Sequence, residues 1–154
     1  MIEVEVADPA WTAALPDAAA LAEAAAVAAL ARVATAAHGD VAILLADDGA
    51  VRALNARFRD QDKATNVLSF PASSGAREHA GDIALAFGVC AAEAAAQGKP
   101  LAHHLQHLTV HGVLHLLGYD HAADAEAAAM EAAERGILAT LGVPDPYADE
   151  PADV

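Results

Sequence analysis

The sequence predicts an α+β fold: a small mixed β-sheet of about four strands packed with about five helices, one of them carrying a metal site. Three observations predict it. Short apolar or alternating runs of strand length, at residues 2–6, 41–46, 65–70 and 82–87, are separated by longer segments of helical character. Two of these runs follow one another with no helix between them, which points to a mixed rather than a wholly parallel sheet. Five of the eight histidines crowd into positions 103 to 115, on one helical segment.

In chain order, residues 2–6 alternate between apolar residues and acids and read as a strand. Pro16-Asp17 opens a helix, with proline near its first turn and Gly39 as its stop. Much of that helix is alanine, read as a helix former more than a core filler. Residues 41–46 form a short apolar run of a buried strand. Asp47 or Asp48 caps a helix running to about Phe58. Residues 65–70 read as a strand stopped by Pro71, residues 72–80 as a loop, and 82–87 as a further strand. A helix over 88–97 is broken by Gly98-Lys99-Pro100. A long helix over 101–117 ends at Gly118, and the last helix spans 122–141, with Gly142 and Pro144 beyond it. The expected organisation is one domain over residues 1–147 and a frayed acidic tail over 148–154.

The chain has 154 residues and a single cysteine, Cys90. One thiol forms no internal disulfide, and the acidic start resembles no secretory signal, so the expected setting is cytoplasmic and away from membranes. The formal net charge of −14 argues against unaided nucleic-acid binding. The charge is unevenly spread. Residues 52 to 63 hold Arg52, Arg57, Arg59 and Lys63 and are net +2, whereas residues 122 to 154 are net −7. Cys90 reads as a small buried residue, and Trp11 and Tyr147 as packing residues before base-stacking ones.

The chemistry concentrates in His111-Gly112-Val113-Leu114-His115-Leu116-Leu117-Gly118-Tyr119-Asp120-His121. Helical positions i and i+4 share a face, so the rings of His111 and His115 converge. Gly118 takes a left-handed turn, and His121 swings back as a third ligand. Three histidines leave a fourth position open for water or phosphate, the arrangement of a catalytic zinc. His107 and His115 are eight residues apart, roughly 12 Å along a helix axis, so they do not hold one ion together. His107 reads as a supporting or an ordinary residue, and His103 and His104 as surface ones. The spacing H-x-x-x-H-x-x-G-x-x-H is that of the metzincin metallopeptidases, but these place a glutamate base after the first histidine, where this chain has Gly112.

H-G-V-L-H-L-L-G-Y-D-H resembles the signature of the YbeY family of bacterial endoribonucleases. Residues 55–71 (N-A-R-F-R-D-Q-D-K-A-T-N-V-L-S-F-P) are similar to a second family stretch, Gly81-Asp82-Ile83 to a third, and Asp145-Pro146-Tyr147 to family endings. The resemblance covers about residues 41 to 147. It implies a single-strand-specific, zinc-dependent endoribonuclease acting in ribosomal RNA processing, at the 3′ end of small-subunit rRNA, and in ribosome quality control. The implied partners are single-stranded RNA or rRNA precursors, with small-subunit ribosomal proteins or a ribosome-associated GTPase. The alternatives are a metallopeptidase-like hydrolase and a non-catalytic ribosome-assembly factor with structural zinc.

Roles follow from the chemistry of phosphodiester cleavage. Metal ligands are His111, His115 and His121, holding one Zn²⁺. Neutral imidazoles leave the ion its full charge, which favours an anionic phosphate and lowers the pKa of bound water. Whether water or a ribose 2′-hydroxyl is the nucleophile stays open. Arg59 alone reads as a solvated residue near a helix end; its planar fork suits two phosphate oxygens, and the resemblance makes it the candidate catalytic residue for the phosphate. Asp82 is a candidate to orient a histidine or water from a neighbouring strand, or else a turn residue. Asp120 either fixes the ring of His121 or caps the last helix. Ser69 reads as structural.

Overall fold

The computed structural model describes residues 2–32, 40–71, 79–119 and 123–147. The elements are β1 (Ile2–Val6), α1 (Ala10–Ala14), α2 (Ala18–Arg32), β2 (Asp40–Ala46), α3 (Asp48–Arg59), β3 (Val67–Pro71), β4 (His79–Ala86), α4 (Phe87–Ala96), α5 (Leu101–Leu116) and α6 (Asp124–Thr140). The expected α+β architecture is present, with four strands and six helices among the described residues. The tail over 148–154 lies outside them.

The sheet order is β1-β2-β4-β3. β1 pairs with β2 and β2 with β4 in parallel, while β3 runs antiparallel to β4. The parallel pairs require crossovers, supplied first by α1 and α2 and then by the α3–β3 segment. Inward residues alternate along each strand. Val41, Ile43 and Leu45 of β2, with Ile83 and Leu85 of β4, face α2 and α5 in the main core. Ala46, Leu68, Ala84 and Ala86 face the opposite way and pack with Val51 of α3.

Several details differ from the sequence reading; Pro71, the expected strand stop, lies within β3, and Phe87 opens α4. Helix α1 was not anticipated; it begins where Asp8 Oδ1 accepts from Ala10 N at 3.0 Å. His79 and Ala80, expected in a loop, belong to β4. The alanines of α2 do more than favour helix. Ala18, Ala22, Ala25, Ala26 and Ala29 are buried and form its core face. Their short side chains let backbones approach, and Gln106 of α5 reaches across to donate to Leu21 O at 3.0 Å. Of the two aspartates expected to cap α3, Asp47 is the N-cap, accepting from Ala50 N at 2.7 Å, while Gly39, the expected stop of α2, lies outside the described residues. Trp11 is fully buried, with Nε1 donating to Ala46 O at 3.0 Å and its ring edge-on to Phe87.

Helix α5 runs through the middle of the molecule. Leu105, Val110, Val113 and Leu114 are fully buried. A helix held on so many sides is a rigid mount for side chains that must keep a fixed geometry.

Candidate active site

Helix α5 carries the paired histidines at its C-terminal end. His111 Nε2 and His115 Nε2 lie 3.2 Å apart, with ring planes at 79°. Two nitrogens bound to one tetrahedral zinc at about 2.0–2.1 Å stand about 3.3–3.4 Å from each other, so the observed separation fits two ligands of a single ion. The helix ends in a Schellman motif: Gly118 N donates to His115 O at 3.1 Å and Tyr119 N to Leu114 O at 3.0 Å. Gly118 has φ +100°, the left-handed turn that the sequence demanded. The chain then heads into residues 120–122. His121, the expected third ligand, and Asp120 lie outside the described residues. Among the described residues no cluster of three metal-binding side chains forms.

The far side of the His111 ring meets a carboxylate. Glu134 Oε2 lies 2.8 Å from His111 Nδ1, and Glu134 Oε1 lies 2.7 Å from His107 Nε2 and 2.5 Å from the Tyr147 hydroxyl. Burial alone would raise the carboxyl pKa. Hydrogen bonds from His107, His111 and Tyr147 outweigh it and lower the pKa to about 2. Glu134 escaped the sequence reading because it lies 23 residues from His111. The available signal was a lone acid amid the apolar stripe Met130, Ala133, Ile137 and Leu138, all buried. His107 thus shares the Glu134 carboxylate with His111, which favours the supporting of its two sequence readings. His104, expected at the surface, is 4 % exposed, with Nε2 2.9 Å from Glu93 Oε1.

Arg59 and the two histidines line one cleft of about 600 Å³, together with Asn66, Ser69 and Tyr119. Arg59 Nη2 donates to Ser69 O, and the guanidinium lies over the Phe70 ring at 5.5 Å. Ser69 Oγ donates to Gly112 O at 3.1 Å, fastening β3 to α5 as a structural residue would. Arg57 stacks on Phe58, and Arg52 pairs with Asp62 at 2.7 Å on the surface.

Asp82 is not at this site. Its neighbour Ile83 packs against Gly112, so strand alternation points Asp82 to the opposite face of the sheet. There it lines an apolar trough of about 690 Å³ with Leu44, Leu54, Phe58 and Phe70. Cys90 is fully buried, and burial, with the nearby carboxylates of Glu93 and Asp48, pushes its thiol up to about 12.

Gly112 now has a packing reason. A Cβ there would sit 3.1 Å from Ile83 side-chain carbons and 3.2 Å from Ser69 Oγ. The position that holds the base in a zincin peptidase is pressed against the sheet and has no room for a glutamate. This weighs against the metallopeptidase alternative.

An α+β domain with a histidine helix of metzincin spacing, a glycine where a peptidase keeps its base and an arginine on the same cleft defines a hydrolase class suited to anionic esters. The comparisons give the family. The family model described as Endoribonuclease YbeY matches residues 6–142, and the chain belongs to the YbeY family. It is 50 % identical over 158 residues to the Endoribonuclease YbeY of Paramagnetospirillum magneticum, covering 97 % of this chain and 96 % of that one. It is 49 % identical over 159 residues to that of Rhodopseudomonas palustris strain BisB5, covering 96 % and 82 %. A Thermotoga maritima protein determined in solution shares the fold, with a TM-score of 0.59, 21 % identity and coverage of 100 % of this chain and 99 % of that one.

Proposed function

We propose that this chain is a zinc-dependent endoribonuclease that cleaves single-stranded RNA, with His111, His115 and His121 holding the ion and Arg59 meeting the scissile phosphate. The observation that carries this reading is the 3.2 Å approach of the His111 and His115 Nε2 atoms on the cleft that Arg59 also lines. A divalent cation held by the neutral imidazoles of His111, His115 and His121 would keep its charge, favour an anionic phosphate and lower the pKa of nearby water.

The chain's own residues supply the rest. The Ser69 carbonyl and the Phe70 ring hold the Arg59 guanidinium, while its further N–H donors remain for the nonbridging phosphate oxygens. Charge that grows on those oxygens in the transition state meets a fixed cation. The histidines are recessed, His111 being 24 % exposed, so a flexible single strand reaches them more readily than the outside of a duplex.

Ribosomal RNA processing, including the 3′ end of small-subunit rRNA, ribosome quality control and a cytoplasmic location rest on the sequence resemblance. No helix among the described residues is long and apolar enough to cross a membrane. With a net charge of −14, the isolated protein should bind RNA weakly. A small-subunit ribosomal protein or a ribosome-associated GTPase then supplies the electropositive surface. Tight, salt-resistant RNA binding by the isolated protein would contradict this.

The test is to measure bound zinc and the cleavage of RNA and of casein in the wild type, His115→Ala and Arg59→Ala. Zinc should be lost in His115→Ala alone, and RNA cleavage in both. Casein cleavage, or RNA cleavage surviving both substitutions, overturns the proposal.

A further inference from the structure

Glu134 is 1 % exposed, at the centre of the apolar face of α6, where an ionised group is costly unless its lone pairs are satisfied. Among the described residues three donors meet that need, and they divide between the two oxygens. Oε2 faces His111 Nδ1 alone, while Oε1 faces His107 Nε2 and the Tyr147 hydroxyl. The second pair fixes the rotation of the carboxylate, and so fixes where Oε2 stands for His111.

The tyrosine is itself clamped. Tyr147 N donates to Asp145 Oδ1 at 2.8 Å, Arg135 pairs with Asp145 at 3.1 Å and lies over the Tyr147 ring at 5.2 Å, and Lys99 Nζ donates to Pro146 O at 2.7 Å. The Asp145-Pro146-Tyr147 segment is thereby tied to α5 and α6.

An ionised carboxylate only accepts hydrogen bonds, so His111 must present Nδ1–H to it. A neutral imidazole carries one proton. With that proton on Nδ1, the His111 Nε2 facing His115 is a bare lone pair. We infer that Glu134 is a positioning residue for His111, selecting the Nδ1–H tautomer and the ring orientation that a metal ion requires, with Tyr147 holding the carboxylate in register. This rests on the metal reading above. A hydrogen bond behind a histidine ligand both orients the ring and raises its basicity, and loss of such a partner typically lowers metal affinity about 10- to 100-fold.

The experiment has two arms on the full chain. The first is long-range ¹H–¹⁵N NMR of the imidazole nitrogens in zinc-free wild type at pH 8, where His111 should be the Nδ1–H tautomer. The second is zinc affinity by chelator competition for the wild type, Glu134→Gln and Tyr147→Phe, with the fold checked by circular dichroism. Gln keeps the shape but has one acceptor oxygen for two histidines. Affinity should fall about 10- to 100-fold in Glu134→Gln and only a few-fold in Tyr147→Phe. A His111 that is mainly Nε2–H, or a folded Glu134→Gln within two-fold of wild type, overturns the inference while leaving the metal reading intact. A wild type that takes up no zinc overturns both. Should Glu134→Gln not fold, the wild-type tautomer and Tyr147→Phe decide the matter.

Discussion

Four of the five histidines on helix α5, all buried or half-buried, spend their side chains in opposite ways. In its first half, His104 and His107 give Nε2 to the carboxylates of Glu93 and Glu134, at 2.9 and 2.7 Å. In its last turns, His111 and His115 aim Nε2 at one another across an open cleft. The residue type is the same and the spacing similar. What separates them is which nitrogen meets a carboxylate: Nε2 in the first half, but Nδ1 in His111. A ring bonded through Nε2 is used up by packing, whereas one bonded through Nδ1 keeps its outer nitrogen for chemistry.

The sharpest way to break this comparison is to truncate one ring in each half. His115→Ala should lose zinc and RNA cleavage while the fold survives, because the ring borders solvent. His104→Ala should keep one zinc per chain and lose stability by about 2 kcal/mol, since it empties a buried site and strips Glu93 of a donor. Zinc content and urea midpoints on the two variants check this. Loss of zinc in His104→Ala would erase the distinction between the halves.

Arg59 extends the comparison across the cleft. Arg59→Ala should retain zinc and lower kcat about 100- to 1000-fold, the usual effect of removing one preorganised donor to developing charge. Lys at this position should recover little, because the Ser69 carbonyl and the Phe70 ring are arranged for a planar fork. A large rise in KM with unchanged kcat would make Arg59 a general binding residue instead.

Gly112 tests why the C-terminal half of α5 lies so near the sheet. Alanine should gain about 1 kcal/mol in helix propensity yet meet Ile83 and Ser69, for a net loss of about 1 kcal/mol in urea unfolding. Glutamate should cost far more and yield no casein cleavage. A stable Gly112→Glu protein with peptidase activity would show that the cradle accepts a base.

Much of this was legible in the chain because it is local. The i, i+4 histidines and the Gly118 turn are set by helix geometry within a few residues, and strands β1 and β2 by their own apolar patterns. Arg59 joined the site through family resemblance, since only the packing of β3 on α5 brings it to the histidines. Asp82 was misplaced because a period of two says that neighbours face apart but not which face holds α5. Glu134 was invisible to spacing arguments, since its partnership with His111 depends on how α6 docks. The buried alanines of α2 were undervalued because a hydrophobicity scale measures side-chain size and misses the approach that a small side chain permits.

The smallest effect expected is an acid sensitivity lodged in the packing half of α5. Burial lowers the His104 pKa below its ordinary 6.5, with the hydrogen bond to Glu93 opposing and the nearby His107 and Lys99 reinforcing the shift. The native ring therefore refuses a proton that the unfolded chain accepts once the pH drops below about 6.5. Stability from this residue is fully present above that pH and declines as the pH falls toward the depressed native value. His104→Gln is neutral throughout and can still donate to Glu93. On zinc-free protein, the stability read from urea unfolding should drop more for the wild type than for His104→Gln between pH 7.5 and pH 5.5. Equal drops would assign the acid sensitivity to the other histidines, and a larger drop in His104→Gln would show that the ring is charged in the native protein, paired with Glu93 as a salt bridge.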